Sequence, residues 1–294
     1  LASTTLTVNN VLITESLIFD VDLASGLSIT GGVITLDTGV TLTFSNGNAD
    51  NVSVDTISGS GGLTKIGAGT LTLGGMNTAT GNVTVAAGSL SLVNGASLEN
   101  SVAVTVDSGA SLISAHNETI GSLAGGGNIV LNGTLTLGGN NSSTTLAGVI
   151  SGTGSLTKLG TGTLTLSGNN TYSGLTVISG GGLNVTGTLA NTYTMTVNNG
   201  GILSGTGSVF AMGSTNSVTF MYGSTLSPGV AGPGLLAING NLTMASGSTL
   251  VVDINGTTSG TEHDAVAVNG TVAVSGNLVA THGYTPTLGD AYRI

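Results

Sequence analysis

Residues 152–185, GTGSLTKLGTGTLTLSGNNTYSGLTVISGGGLNV, align without a gap to residues 59–92, GSGGLTKIGAGTLTLGGMNTATGNVTVAAGSLSL, and about half of the positions are identical. This repeat constrains the fold more than any other feature, because a unit so short cannot bury its own apolar face and must stack on neighbours. Thr70-Leu71-Thr72-Leu73 and Thr163-Leu164-Thr165-Leu166 alternate polar and apolar, which places the leucines on one face of a strand and the threonines on the other. Gly160, Gly162, Gly168 and Gly174, with Asn169-Asn170, surround the second of these runs. Such residues accept left-handed backbone at low cost, so the chain turns every few residues. The pattern predicts Leu71, Leu73, Leu164 and Leu166 pointing inward and the four threonines pointing out. Lys65 and Lys158 align with each other, so they are expected at the same place in their coils, exposed as edge charges.

The order G-x-G-x-L-T-K-x-G-x-G-T-L-T-L-x-G-x-N-T-x-x-G, from Gly152 to Gly174 and from Gly59 to Gly81, resembles the passenger-associated transport repeat of bacterial autotransporters. Ile120–Gly125, Gly139–Thr144 and Gly148–Gly152 are similar to the segment that introduces such a repeat. Gly223-Ser224-Thr225-Leu226-Ser227-Pro228-Gly229 and Gly283-Tyr284-Thr285-Pro286 with Gly289-Asp290 are similar to the portion before the translocator. The resemblance covers most of 59–294; Leu1–Ser58 matches in style only. It implies a right-handed parallel β-helix, secreted, with the role of a surface protein or adhesin. It also implies a C-terminal membrane barrel, which this sequence does not contain. The chain does not open with Met and stops inside an apparent strand at Asp290–Ile294, so both ends read as processed or as parts of a longer product.

Composition points the same way independently. Fifty-one glycines, 39% hydrophobic and only 5% charged residues fit neither a helical protein nor solvated disorder. Mean hydropathy is +0.44, yet no apolar run approaches the ~18 residues of a spanning helix. Aromatics at 3% are too few for the girdles of a membrane barrel. Thirteen carboxylates face only Lys65, Lys158 and Arg293, for a net charge of −10. Nucleic acid is excluded as a partner, since phosphate binding needs a basic stripe. With no cysteine, disulfides, thiolate metal sites and cysteine nucleophiles are excluded together.

The expected architecture is an all-β solenoid, a single elongated rod in one continuous domain. Residues 1–58 form irregular N-terminal coils, beginning with the strand Thr4–Val8, and Glu15, Asp20 and Asp22 mark an atypical first turn. Residues 59–205 carry the repeats, and 206–294 form C-terminal coils. Three strands per coil of roughly 20 to 25 residues give on the order of 12 to 14 coils and a length of roughly 60 Å.

Candidates for chemistry are few. Glu262-His263-Asp264 with Ser259 is the one place where imidazole and carboxylates adjoin, but sequence neighbours on a strand point to opposite faces, and Asp264 reads as a structural residue opening a strand. His116 and His282 read as exposed loop residues. A polysaccharide-active enzyme on the same architecture would need a carboxylate cluster in a sugar-binding groove. Asp50 and Asp55 are close in sequence, but Asp50 lies in the turn-like Asn48–Asn51 run. No glycine run carries the aspartate of a calcium-binding solenoid repeat, and the G-x-G pairs at 67–69, 160–162 and 205–207 are turns and not dinucleotide sites. Thr41/Thr43, Thr70/Thr72, Thr134/Thr136 and Thr163/Thr165 have the spacing of an ice-binding ladder. Their coils are expected to be separated by others presenting Ser, Asn, Val or Ala, which breaks the register. No catalytic, cofactor-binding or metal residue is assigned.

The function expected from the sequence is that of a non-enzymatic extracellular structural protein, at the bacterial surface or in its matrix, associating head to tail with itself. The other reading is an adhesin that binds a host or neighbouring-cell ligand through loops. Gly205–Gly234, with Phe210, Tyr222, Pro228 and Pro233, is the candidate loop region.

Overall fold

The computed structural model describes residues 4–21, 26–47, 51–93, 95–190, 192–210 and 216–294. Leu1–Ser3, Asp22, Ala49 and Asp50, which the sequence reading placed in strands or turns, lie outside the described residues. The chain is a β-solenoid of parallel strands stacked in about 11 turns. No helix occurs among the described residues, so none is long and apolar enough to cross a membrane. Coil length varies along the chain. Asn117 hydrogen-bonds 17 residues ahead to Thr134, whereas Asn241 reaches 30 residues ahead to Thr271.

Two compact units are distinguished, residues 1–142 with 146–154, and residues 143–145 with 155–294. The first contains a complete nine-stranded sheet that includes Leu27–Leu36, Asn51–Gly59, Thr70–Leu73, Ser89–Leu92, Ser111–Ser114 and Asn128–Leu131. Its inward positions stack in register as Val52, Leu71, Leu90, Leu112, Ile129 and Ile150, each essentially inaccessible to solvent. The second unit builds the same kind of column from Leu164, Leu183, Leu203 and Leu226. It adds a short five-stranded sheet that begins at Asn169–Asn170 and ends at Ala265–Val268.

The reason is visible in the local sequence. Threonine–leucine alternation gives each strand one face to bury and one to hydrate, and all four predicted leucines of the repeats are fully buried with the four threonines half-exposed. Burying each such leucine is worth about 1.5–3 kcal/mol. Glycine is required at the corners. Gly152, at φ +98°, lies so close to the Leu131 carbonyl of the preceding coil that a Cβ would sit 2.1 Å from that oxygen. Any other residue there would be strained in backbone and would push the coils apart.

Candidate functional site: the plugged turns of the repeats

Lys65 follows Leu63 by two residues in the strand Gly62–Ile66, and Lys158 follows Leu156 in Leu156–Lys158. Strand alternation therefore turns both lysines inward. Neither is exposed, contrary to expectation: Lys65 and Lys158 retain 0% and 1% of their accessible surface. Their stems occupy core columns, Lys65 between Phe44 and Val85, and Lys158 beside Ile178 in the column that continues through Val197 and Phe220. The ammonium groups reach the corner of the coil. Lys65 Nζ donates to the carbonyls of Ile66 (2.6 Å), Gly67 (2.7 Å) and Ala87 (3.3 Å). Lys158 Nζ donates to Leu159 and Gly180. In each case one acceptor is the next residue and another lies 22 residues on, in the following coil. The lysine is a plug that ties one turn to the next through carbonyls the strands leave over. Burial pushes the Lys65 amine down to about 8 and the Lys158 amine in the same direction.

Asn77 and Asn170, aligned in the two repeats, do similar work one corner later. Each side-chain amide donates to the carbonyl two residues back, Gly75 and Gly168, and Asn77 Oδ1 also accepts the Ile57 amide. The expectation that the lysines share a place in the coil is nevertheless corrected. Lys65 lies in the thirteen-stranded sheet and Lys158 in the eight-stranded one, while Thr70–Leu73 lies in the nine-stranded sheet and Thr163–Leu166 in the thirteen-stranded one. A side of the solenoid asks only for alternation and a glycine corner, so the same repeat fits on whichever side the preceding coils deliver it.

Both plugged segments match one family model. Residues 63–92 and 156–185 match the model of the passenger-associated-transport repeat. A search of curated proteins returns no match. The chain thus carries two passenger repeats folded into a β-solenoid, in agreement with the resemblance read from the sequence.

The outward face of the repeats carries many hydroxyls. The threonine pairs at 41/43, 70/72 and 163/165 are out of register with one another, as expected, the second lying in the nine-stranded sheet and the other two far apart in the thirteen-stranded one, but single threonines outside those pairs do line up. Thr43, Thr64, Thr84 and Thr105 are direct neighbours on four successive strands. On the nine-stranded sheet Ser28, Ser53, Thr72 and Ser91 form a second column, and in the second unit Thr196, Thr219 and Thr243 form a third. In the first of these columns only Thr43 belongs to a T-x-T pair, so a search for paired threonines does not reveal it. The first column is one residue wide beyond Thr43, since Thr41 is followed by Gly62, whereas Thr70 and Ser89 stand beside Thr72 and Ser91 in the second.

The remaining candidates are placed as follows. His263 is buried, and its ring nitrogens face the carbonyls of Gly256 and Arg293. Ser259 donates to the same Arg293 carbonyl and not to the imidazole. Asp264 accepts from the Gly234 and Asp253 amides just before the strand Ala265–Val268, so the triad members do not form a relay. Burial raises the Asp264 carboxyl against those two bonds. His116 is half-buried with its Nε2 on the Ala96 carbonyl, and His282 is exposed but ends the strand Asn277–His282. Asp55 is exposed on the strand Asn51–Gly59. Phe210 is buried and unavailable as a loop anchor, while Tyr222 is exposed.

Two buried groups have no sequence signal beyond their polarity. Tyr172 is enclosed, and its hydroxyl bonds Thr176 (2.7 Å), which bonds Thr192 (2.9 Å); burial pushes the phenol up. Glu118 opens the strand Glu118–Ile120. Its Oε1 accepts the Leu98 and Thr119 amides, while Oε2 is buried without a partner among the described residues. Burial raises this carboxyl to about 7 in spite of those two bonds.

Proposed function

We propose that this chain is the passenger portion of an autotransporter, displayed outside the bacterial cell, and that its work is structural. The observation that carries the reading is the pair of passenger-associated-transport repeats, each folded as a coil whose lysine plug ties it to the next. A solenoid of this kind resists unfolding through its backbone ladder, and its hydroxyl faces keep it hydrated without charge. The plug supplies the test. The chain has three basic residues, and the two lysines are buried. When the chain is displayed on cells through a fused translocator barrel, external trypsin should leave it uncut at Lys65 and Lys158 until urea is added. Rapid cleavage at both lysines on intact cells would contradict the reading.

Self-association is the finer part of the proposal. Leu17 and Ile18, on the first strand of the thirteen-stranded sheet, and Leu278 and Val279, on the last, are exposed, and an open strand edge is a template for another. Light scattering and electron microscopy of the purified chain should show head-to-tail association that Ile18→Lys weakens. A chain that stays monomeric at high concentration removes this part and leaves the passenger reading standing. Exposed Tyr193 and Tyr222 favour the adhesin as the second reading.

A further inference from the structure

Residues 283–294 form no strand, yet they are fastened to the coil before them. Ile294 helps to line an apolar hollow of about 290 Å³ with Leu242, Met244, Val266 and Val274. Within the segment, Tyr284 Oη donates to Asp290 Oδ2 (2.9 Å) and meets the Tyr292 hydroxyl, and the Thr287 amide donates to the same carboxylate (2.7 Å). The segment is therefore a strap with its own internal structure. It meets the coil at His263, against which the Tyr292 ring stands edge-on with centroids 5.6 Å apart.

The two contacts of the imidazole are chemically unusual as a pair. Nδ1 lies 3.2 Å from the Gly256 carbonyl and Nε2 lies 3.1 Å from the Arg293 carbonyl. A carbonyl oxygen only accepts, and a neutral imidazole has one N–H, so both contacts are satisfied together only by the imidazolium. We propose that His263 is a proton-dependent clasp: the imidazolium fastens residues 284–294 to the coil through the Arg293 carbonyl, and loss of its proton releases them. The strap side is the one that opens. Gly256 belongs to the same loop as His263, which is held by the Asn255 amide on Glu262 and the Gly260 amide on His263. The Arg293 carbonyl has, besides the ring, only a 3.4 Å bond from Ser259.

The Glu262 and Asp264 carboxylates flank the ring in sequence and attract its charge. Asp253, on the strand Thr249–Ile254, bonds the Asp264 carboxylate through its amide and receives the Thr281 hydroxyl on its own carboxylate. His282 is paired opposite Ile254, which also bridges to His263. Arg293, whose carbonyl meets the ring, carries the other formal charge on the strap. On the strap, Asp290 is held below the usual carboxylate range by Thr287 and Tyr284 and stays ionised while the imidazole titrates.

Nitrogen-15 histidine spectra of the full chain, assigned with His116→Asn and His282→Asn, test the clasp. At pH 5 His263 should show an imidazolium with a cross-peak to the Tyr292 ring. At pH 8.5, above the ordinary imidazole range, it should be neutral and the cross-peak lost. Linkage is reciprocal, so Tyr292→Ala, which frees the strap, should lower the proton affinity of His263 about tenfold, a shift of about one pH unit. His263→Gln should make the near-ultraviolet signal of the tyrosine pair independent of pH. A His263 that is neutral throughout, a titration that Tyr292→Ala leaves in place, or a tyrosine signal that still follows pH in His263→Gln overturns the proposal.

Discussion

The two passenger repeats differ less in what they contain than in where they sit. Each carries a buried lysine in its first strand, turns at glycines and buries the same pair of leucines, but the equivalent strands belong to different sheets. The equivalence is therefore local: a repeat specifies its own turn and the one after it, and not a side of the solenoid. The clearest chemical difference lies after the asparagine. The second repeat has Tyr172, buried and bonded to Thr176, where the first has half-exposed Ala79 with Val83 in place of the threonine. The plug, the glycines and the leucines make up the shared frame, and the third side of the coil is free to be filled in two ways.

The comparison is broken most severely through the leucines. Leu71→Asp and Leu164→Asp each place a carboxylate in a dry column with nothing to pair it, a loss of at least about 4 kcal/mol. Urea unfolding followed by circular dichroism should show the two variants losing the ladder to similar extents, and over several coils, since each coil is supported by its neighbours. A loss confined to one substituted repeat would show that the two frames are not equivalent.

Tyr172 probes the difference. Tyr172→Ala should cost about 3–5 kcal/mol, as large aromatic truncations do. Tyr172→Phe should cost only about 1 kcal/mol, because Thr176 keeps Thr192 and Thr192 keeps the Gly174 carbonyl. Equal losses for the two variants, measured by thermal melting, would place the value of the side chain in its hydroxyl and not in its bulk.

The lysines test the shared frame directly. Lys65→Met and Lys158→Met keep the stem and remove the donor, leaving corner carbonyls unsatisfied at a cost of about 1–3 kcal/mol, and the two losses should agree if the plug is local. Their pH dependence has a definite sign. The folded-state pKa of Lys65 is lowered from 10.5 to about 8, so between those values the unfolded chain binds more protons than the folded one. Stability should therefore rise as pH increases from about 8 toward 10.5, and Lys65→Met should reduce that rise, leaving the part that Lys158 contributes in the same direction. A stability of the parent chain that is flat or falling over this interval in urea titrations would count against a buried plug at Lys65.

Much of this architecture was legible in the sequence, and the failures are instructive. The strands came out where alternation placed them, as at Leu135–Leu137 and Val272–Val274, because alternation is both the sequence signal and the physical cause. The charge of Lys65 and Lys158 points to the surface, but their position decides: the same alternation that buries Leu63 and Leu156 turns the next residue but one inward. Strand alternation has no way of showing that carbonyls 22 residues away complete the site. The column of Thr43, Thr64, Thr84 and Thr105 joins single threonines from four strands; three of them have no threonine two residues away, so the T-x-T signal does not mark them. Tyr172 and the His263 clasp depend on partners in other coils and were not readable from spacing.

The smallest effect concerns a corner where the carboxamide solution of the first repeat is replaced by a carboxylate. Asn77 accepts the amide of Ile57, 20 residues earlier, and Glu118 accepts the amide of Leu98, also 20 residues earlier. Glu118 does so with a second oxygen buried and unpartnered, so the group is better accommodated with its proton than without. Its folded-state pKa is raised from 4.5 to about 7. The folded chain then binds more protons than the unfolded one between those values, and stability that is complete below about 4.5 declines as pH rises through about 7. Glu118→Gln keeps an oxygen for the Leu98 amide and removes the ionisation. It should match the parent at pH 4 and exceed it at pH 8, which paired urea titrations at the two pH values would measure. A variant less stable than the parent at pH 8 would mean that the ionised carboxylate, and not the carboxamide found at Asn77, is what this corner requires.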